Sequence, residues 1–162
     1  MLFLAAQPQS VYPDYPDMSD AMDIFGYDWE PHEVETEDGW YLTMFRITGI
    51  KGEELPSEKK DKPPILLLHG SGASAMGWLE GGEDPNLPGA LAARGYDVWL
   101  GNPRGARYSN KNRRDGEWSL KERWNWTYAD MGAYDVPAFV DRVLEVTTKP
   151  KLTLIGYSMG SA

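Results

Sequence analysis

The run Leu152-Thr153-Leu154-Ile155 leads straight into Gly156-Tyr157-Ser158-Met159-Gly160, a G-x-S-x-G pattern. By itself the pattern arises by chance in about one chain of this length in twenty. Its place after a β-prone run gives it meaning, because a strand must there turn sharply into a helix with the serine at the apex. Small residues two before and two after the apex let the turn close without a Cβ striking neighbouring backbone. The apex residue is expected in a strained backbone conformation that lifts its hydroxyl clear of the sheet. Ser158 is therefore the candidate nucleophile.

Two further runs read as strands buried on both faces, Ile65-Leu66-Leu67-Leu68 and Tyr96-Asp97-Val98-Trp99-Leu100. Between them Leu87 to Arg94 suits a short helix closed by Gly95. Between the second run and the elbow, Val136, Phe139, Val140, Val143 and Leu144 form one apolar stripe at helical spacing, with Pro137 in the first turn or at a kink. Upstream, His32 to Thr48 reads as two strands joined at Glu37-Asp38-Gly39, a strong hairpin signal. Residues 7 to 23 read as an extended arm and Gly52 to Pro64 as a loop. The expected fold class is α/β: an antiparallel hairpin, then parallel strands with helical crossovers up to the elbow. The expected division is an arm over 1–22 and one domain over 23–162.

Length and composition suit a single globular domain: 162 residues, 41% apolar and 12% aromatic. A net charge of −9 argues against a nucleic-acid partner. The basic stretch from Arg104 through Arg107 and Lys111 to Arg114 reads as a solvated loop. No cysteine is present, so there is neither a disulfide framework nor a thiolate metal site. No metal or organic cofactor is implied. The apolar start Met1–Ala6 is too short for a transmembrane segment, and Asn125-Trp126-Thr127 fits a glycosylation sequon. The seven tryptophans are expected mainly to fill core.

His69-Gly70-Ser71-Gly72 follows the first buried run. Acyl transfer builds negative charge on a carbonyl oxygen, and two backbone N–H groups must already face it. One comes from the residue after the nucleophile, Met159, and the other from a glycine-rich loop after an earlier strand, where Ser71 is the candidate. His69 would shape that loop, and His32 reads as a surface or packing residue. A rival reading takes Gly70, Gly72 and Ala75 as a G-x-G-x-x-A dinucleotide fingerprint. It needs a long helix opening at the glycines, and Gly81-Gly82, Pro85 and Pro88 interrupt one.

Gly26-Tyr27 through Glu33-Val34, then Thr36-Glu37-Asp38-Gly39 and Leu42-Thr43, resemble the N-terminal signature of the gastric and lysosomal acid lipases. The block Gly95-Tyr96-Asp97-Val98-Trp99-Leu100-Gly101-Asn102, with Arg104-Gly105 and Tyr108-Ser109, is similar to that family's next segment, as is Trp124 to Asp135. The resemblance implies an α/β-hydrolase cleaving lipid esters such as triacylglycerols or sterol esters at a lipid–water interface. It implies Ser158 as nucleophile, Ser71 and Met159 as oxyanion donors, and a secreted or lysosomal location. The family places histidine and glutamine beside the serine, where Tyr157 and Met159 stand here, and leucine where Ser71 stands. It also places the triad acid, histidine and lid beyond Ala162, so these residues alone are expected to be inactive, with the elbow strand an open edge. The alternatives are a catalytically dead relative that binds a lipid or protein, and a thioesterase or peptidase on the same fold.

Overall fold

The computed structural model describes residues 14–53, 61–80, 86–114, 119, 121 and 124–162. Strands β1 (Tyr27–Glu35) and β2 (Trp40–Ile50) form the expected hairpin. Its turn closes as Thr36 Oγ1 accepts from the Trp40 amide at 2.8 Å, and Gly39 takes φ 94°. Strands β3 (Pro64–Leu68), β4 (Asp97–Gly101), β5 (Lys111–Asn112) and β6 (Thr153–Gly156) complete a six-stranded sheet. Its order is β1-β2-β4-β3-β6, with β5 pairing to β2, and β3 runs parallel to both β4 and β6.

Alternation along the central strands builds two cores, one on each face of the sheet. Phe45, Ile47, Ile65, Leu67, Val98 and Leu100 share one cluster with Met18 and Met22 of α1 (Pro16–Ile24) and Ala92 of α2 (Leu87–Ala93). Leu42, Met44, Leu66, Leu68 and Trp99 share the other with Phe139 and Val143. Those two residues belong to the striped helix, α4 (Val136–Thr147), whose first turn holds Pro137 as expected. Helix α2 also ends as read from the sequence, with Arg94 at the cap and Gly95 at φ 89°. Its start is set by Asn86, whose Oδ1 accepts from the Gly89 amide and from the Tyr27 hydroxyl, each at 2.9 Å.

Three expectations need correction. Residues 16–24 are helix rather than extended arm, because a proline fits the first helical turn and Met18 and Met22, one turn apart, both reach full burial. Of the rest of the arm, Asp14 and Tyr15 lead into the helix and residues 1–13 lie outside the described residues, as does 54–60 of the expected loop. Arg104 is buried, not solvated, whereas Arg107, Lys111, Arg113 and Arg114 are exposed or largely so. The helical segment that carries the stripe also begins upstream of it: α3 (Tyr128–Asp130) and a π turn over Met131–Asp135 lead without a break into α4. Pro137 offers no N–H to the turn before it, and the wider π turn lies immediately upstream. The tryptophans divide: Trp40 and Trp99 are core, while Trp124 is 55% exposed.

Candidate active site

Ser158 has φ 54°, one of two non-glycine residues with positive φ among the described residues. A serine rarely adopts that conformation without surrounding structure to hold it. The holding contacts come from the two flanking glycines. A Cβ on Gly156 would collide with the backbone of Gly160, and one on Gly160 with the carbonyl groups of Leu68 and His69. The turn is thus pressed against the end of β3, where Leu68 O accepts from the Tyr157 amide at 3.0 Å. Beyond the apex a short 3₁₀ turn runs over Ser158–Ser161, and the Ser161 hydroxyl donates to Ser158 O at 2.7 Å.

The glycine loop meets this turn directly. A Cβ on Gly70 would lie 3.1 Å from the Tyr157 ring and 3.2 Å from the Ser158 Cβ, so any larger residue would push loop and elbow apart. His69 is 4% exposed, and its Nδ1–H donates to Gly70 O at 2.8 Å. Burial lowers its pKa, against a smaller upward pull from that bond, and keeps the ring neutral. It holds the loop's shape, as expected of it. His32 packs instead on the hairpin, its ring 4.6 Å from that of Trp99 and its Nε2 2.9 Å from Glu30. Among the described residues no side chain hydrogen-bonds the Ser158 hydroxyl.

A cleft of about 670 Å³ opens beside the elbow. Ser71 and Met159, the two candidate donors, both lie in its wall, with His69, Trp126, Tyr128 and Met131. Ser158 stands exposed at the end of β6, outside that wall. The dinucleotide reading loses its helix here: only a 3₁₀ turn over Ala75–Trp78 follows the glycines.

The cleft floor rests on a buried ion cluster that sequence reasoning missed. Arg104 donates from its backbone N and its Nε to Asp135, each at 2.8 Å, and from both terminal nitrogens to Asp38 at 2.6 and 2.9 Å. Its guanidinium lies over the rings of Trp40 and Tyr134. Burial would lower the Arg104 pKa, but its bonds to Asp38 and Asp135 outweigh that and hold it above its ordinary value. Burial pushes the Asp135 carboxyl upward against the pull of Arg104. The cluster ties hairpin turn, post-β4 loop and π turn together. The signal for it was present in Asn102-Pro103-Arg104-Gly105, a polar pair framed by turn residues at the end of a fully buried strand.

Residues 63–162 match a family model described as the alpha/beta hydrolase fold, and residues 18–82 match one described as a partial alpha/beta-hydrolase lipase region. The chain belongs to the alpha/beta hydrolase fold family. Within it, the chain is 38% identical over 138 residues to triacylglycerol lipase 2 of Arabidopsis thaliana, covering 85% of this chain and 32% of that protein. It is 38% identical over 145 residues to mouse (Mus musculus) gastric triacylglycerol lipase, covering 89% of this chain and 36% of that one. The chain thus spans about a third of the length of the curated relatives it matches. The resemblance to acid lipases read from its motifs is borne out. Among solved structures, the Pyrococcus furiosus esterase Pf2001 superposes with a TM-score of 0.60 at 22% identity, over 86% of this chain and 46% of the esterase, which shows the shared fold.

Proposed function

We propose that this alpha/beta hydrolase cleaves carboxylic esters of lipids through an acyl-enzyme on Ser158. The observation that carries the reading is the Ser158 backbone, held at φ 54° by glycine contacts at the end of a parallel strand. The Ser158 oxygen attacks the ester carbonyl while a base removes its proton. The oxyanion that forms is stabilised by the backbone N–H groups of Ser71 and Met159. Collapse expels the alcohol with that proton, and water then releases the acid from the serine. In this fold the acid and the histidine follow the serine in chain order, so neither His32 nor His69 is assigned as base. The triacylglycerol lipase relatives and the aromatic and methionine cleft wall support a lipid ester substrate. Exposed Trp124, whose ring lies against Trp126 of the cleft wall, and exposed Tyr128 in that wall support work at a lipid–water interface.

The test uses the full-length gene product and p-nitrophenyl butyrate. Ser158→Ala should abolish turnover without altering thermal unfolding, and a serine-directed fluorophosphonate should label Ser158 in the unsubstituted protein. Ser71→Pro, which deletes the donor N–H, should cost about 100- to 1,000-fold in kcat, and Ser71→Ala far less. Turnover retained by a folded Ser158→Ala variant would defeat the assignment.

A further inference from the structure

The loop 69–74 is held at two ends of unlike construction. Its near end leaves β3 at Leu68, beside the elbow. Its far end enters the 3₁₀ turn at Ala75, whose amide N–H donates to Asn102 Oδ1 at 2.8 Å. Asn102 follows β4 and is fully buried. Its Nδ2 donates to Thr43 O at 3.0 Å, and its backbone N donates to the same carbonyl at 3.2 Å. Its own carbonyl accepts from the Ser109 hydroxyl at 2.5 Å, which in turn accepts from the Thr43 amide at 2.9 Å.

The chemistry of that site admits an amide and little else. The Ala75 N–H can only donate and the Thr43 carbonyl can only accept, so one side chain must offer both an acceptor and a donor. A carboxylate would set its second oxygen against the Thr43 carbonyl, and an apolar isostere would leave the Ala75 N–H buried and unpaired, with Thr43 O keeping only the Asn102 backbone N–H. Between its anchors the loop carries Gly70 and Gly72, the latter at φ 71°. Its internal bonds, from His69 Nδ1–H and the Ala73 N–H, both end on Gly70 O, so they shape the bend without fixing where it sits.

We propose that Asn102 is a positioning residue for the oxyanion hole, fixing through Ala75 the loop that aims the Ser71 N–H. The inference rests on the reading of Ser71 as a donor. An oxyanion donor acts in the transition state more than in substrate binding, so its displacement lowers kcat and leaves KM nearly unchanged. Misplacement of about 1 Å costs up to ~100-fold.

Three variants of the full-length gene product test this. Asn102→Ala should lower kcat by about 10- to 100-fold and speed deuterium exchange at the Ala75 amide. Ser109→Ala disturbs the same corner without touching that amide, and should lower the melting temperature while keeping kcat within about threefold. Asn102→Asp gives the sharpest readout. Its carboxyl, buried against a carbonyl, has a raised pKa; protonated, it restores the donor to Thr43 O. Its kcat relative to wild type should therefore be higher at pH 5 than at pH 8, an effect that loss of stability alone would not produce in the folded fraction. Unchanged Ala75 exchange in Asn102→Ala, or equal kcat losses in Asn102→Ala and Ser109→Ala, overturns the proposal. Wild type without Ser158-dependent turnover defeats the functional reading instead, and Ala75 exchange then still decides whether Asn102 holds the loop.

Discussion

Strands β3 and β6 lie side by side, parallel, in register from Ile65 opposite Thr153 to Leu68 opposite Gly156. Both carry adjacent aliphatic side chains, and both end at a glycine-rich turn of the candidate site. Yet β3 is buried at every position, while β6 leaves Thr153 exposed and Leu154 40% exposed. The difference lies in neighbours. Among the described residues β3 has a strand on each side and apolar clusters on both faces, whereas β6 pairs with β3 alone and sets Ile155 against one of those clusters. The contrast is one between strands of these 162 residues, about a third of the relatives' length. Burial of a strand depends on what surrounds it, and only part of that is written in its own residues. The two turns differ accordingly. The loop after β3 is tied by hydrogen bonds into the sheet through Asn102, whereas the elbow after β6 is held chiefly by close approach, where Gly156 and Gly160 leave no room for a Cβ.

The largest expected effect is the contrast itself. Leu67→Ala removes a fully buried side chain from the centre of β3 and should cost about 2–5 kcal/mol. Made in the same 162-residue chain, Leu154→Ala, one strand over and 40% exposed there, should cost about 1 kcal/mol or less. Urea unfolding of both variants measures the gap. Equal costs would mean that β6 is packed as deeply as β3 in solution, and the contrast would fail.

A smaller effect on stability, with a large one on the site, is expected at the elbow. Gly160→Ala drives a Cβ into the carbonyls ending β3 and should cost about 1–3 kcal/mol. It should also slow fluorophosphonate labelling of Ser158 well beyond what that loss explains. Gly132→Ala is the control, since a Cβ there meets nothing within 4 Å. Labelling of Gly160→Ala at the wild-type rate would show that close approach does not hold the elbow.

These contrasts mark where the chain was legible. The hairpin, the three core strands, α2, the striped helix and the elbow all follow from short-range rules: alternation, helical spacing, Asp-Gly and G-x-S-x-G. The rest depends on partners distant in sequence. Arg104 looked like one solvated cation among several, because Asp38 and Asp135, which bury and neutralise it, lie 66 and 31 residues away. Asn102 drew no role of its own, because its partners Ala75 and Thr43 lie 27 and 59 residues away. α1 was hidden by Pro and Tyr around two methionines that become a core face only once the sheet exists. Ser71 and Met159 were placed by motif order, and the cleft brings both into one wall.

The smallest effect separates the two anchored turns by pH. His69 sits at the root of the β3 loop with its pKa lowered from 6.5, chiefly by burial. A group that is harder to protonate in the folded state binds fewer protons there than in the unfolded chain, so stability rises with pH across its window. That contribution is intact above pH 6.5 and is lost as the pH falls below it toward the folded value, by at most about 1.4 kcal/mol per pH unit for one proton. His32 has the same sign, again through burial, partly opposed by Glu30. Thermal melts between pH 7.5 and 5 should therefore show falling stability. His69→Asn retains an N–H donor for Gly70 O and removes the titration, so its slope should be shallower, the remainder coming from His32 and opposed by Asp135, whose raised pKa gives the other sign. No histidine lies on β6 or in the elbow, so Tyr157→Phe should leave the slope as it is in wild type. A His69→Asn variant with the full wild-type slope would place the pH response elsewhere and remove the loop after β3 as the acid-sensitive anchor.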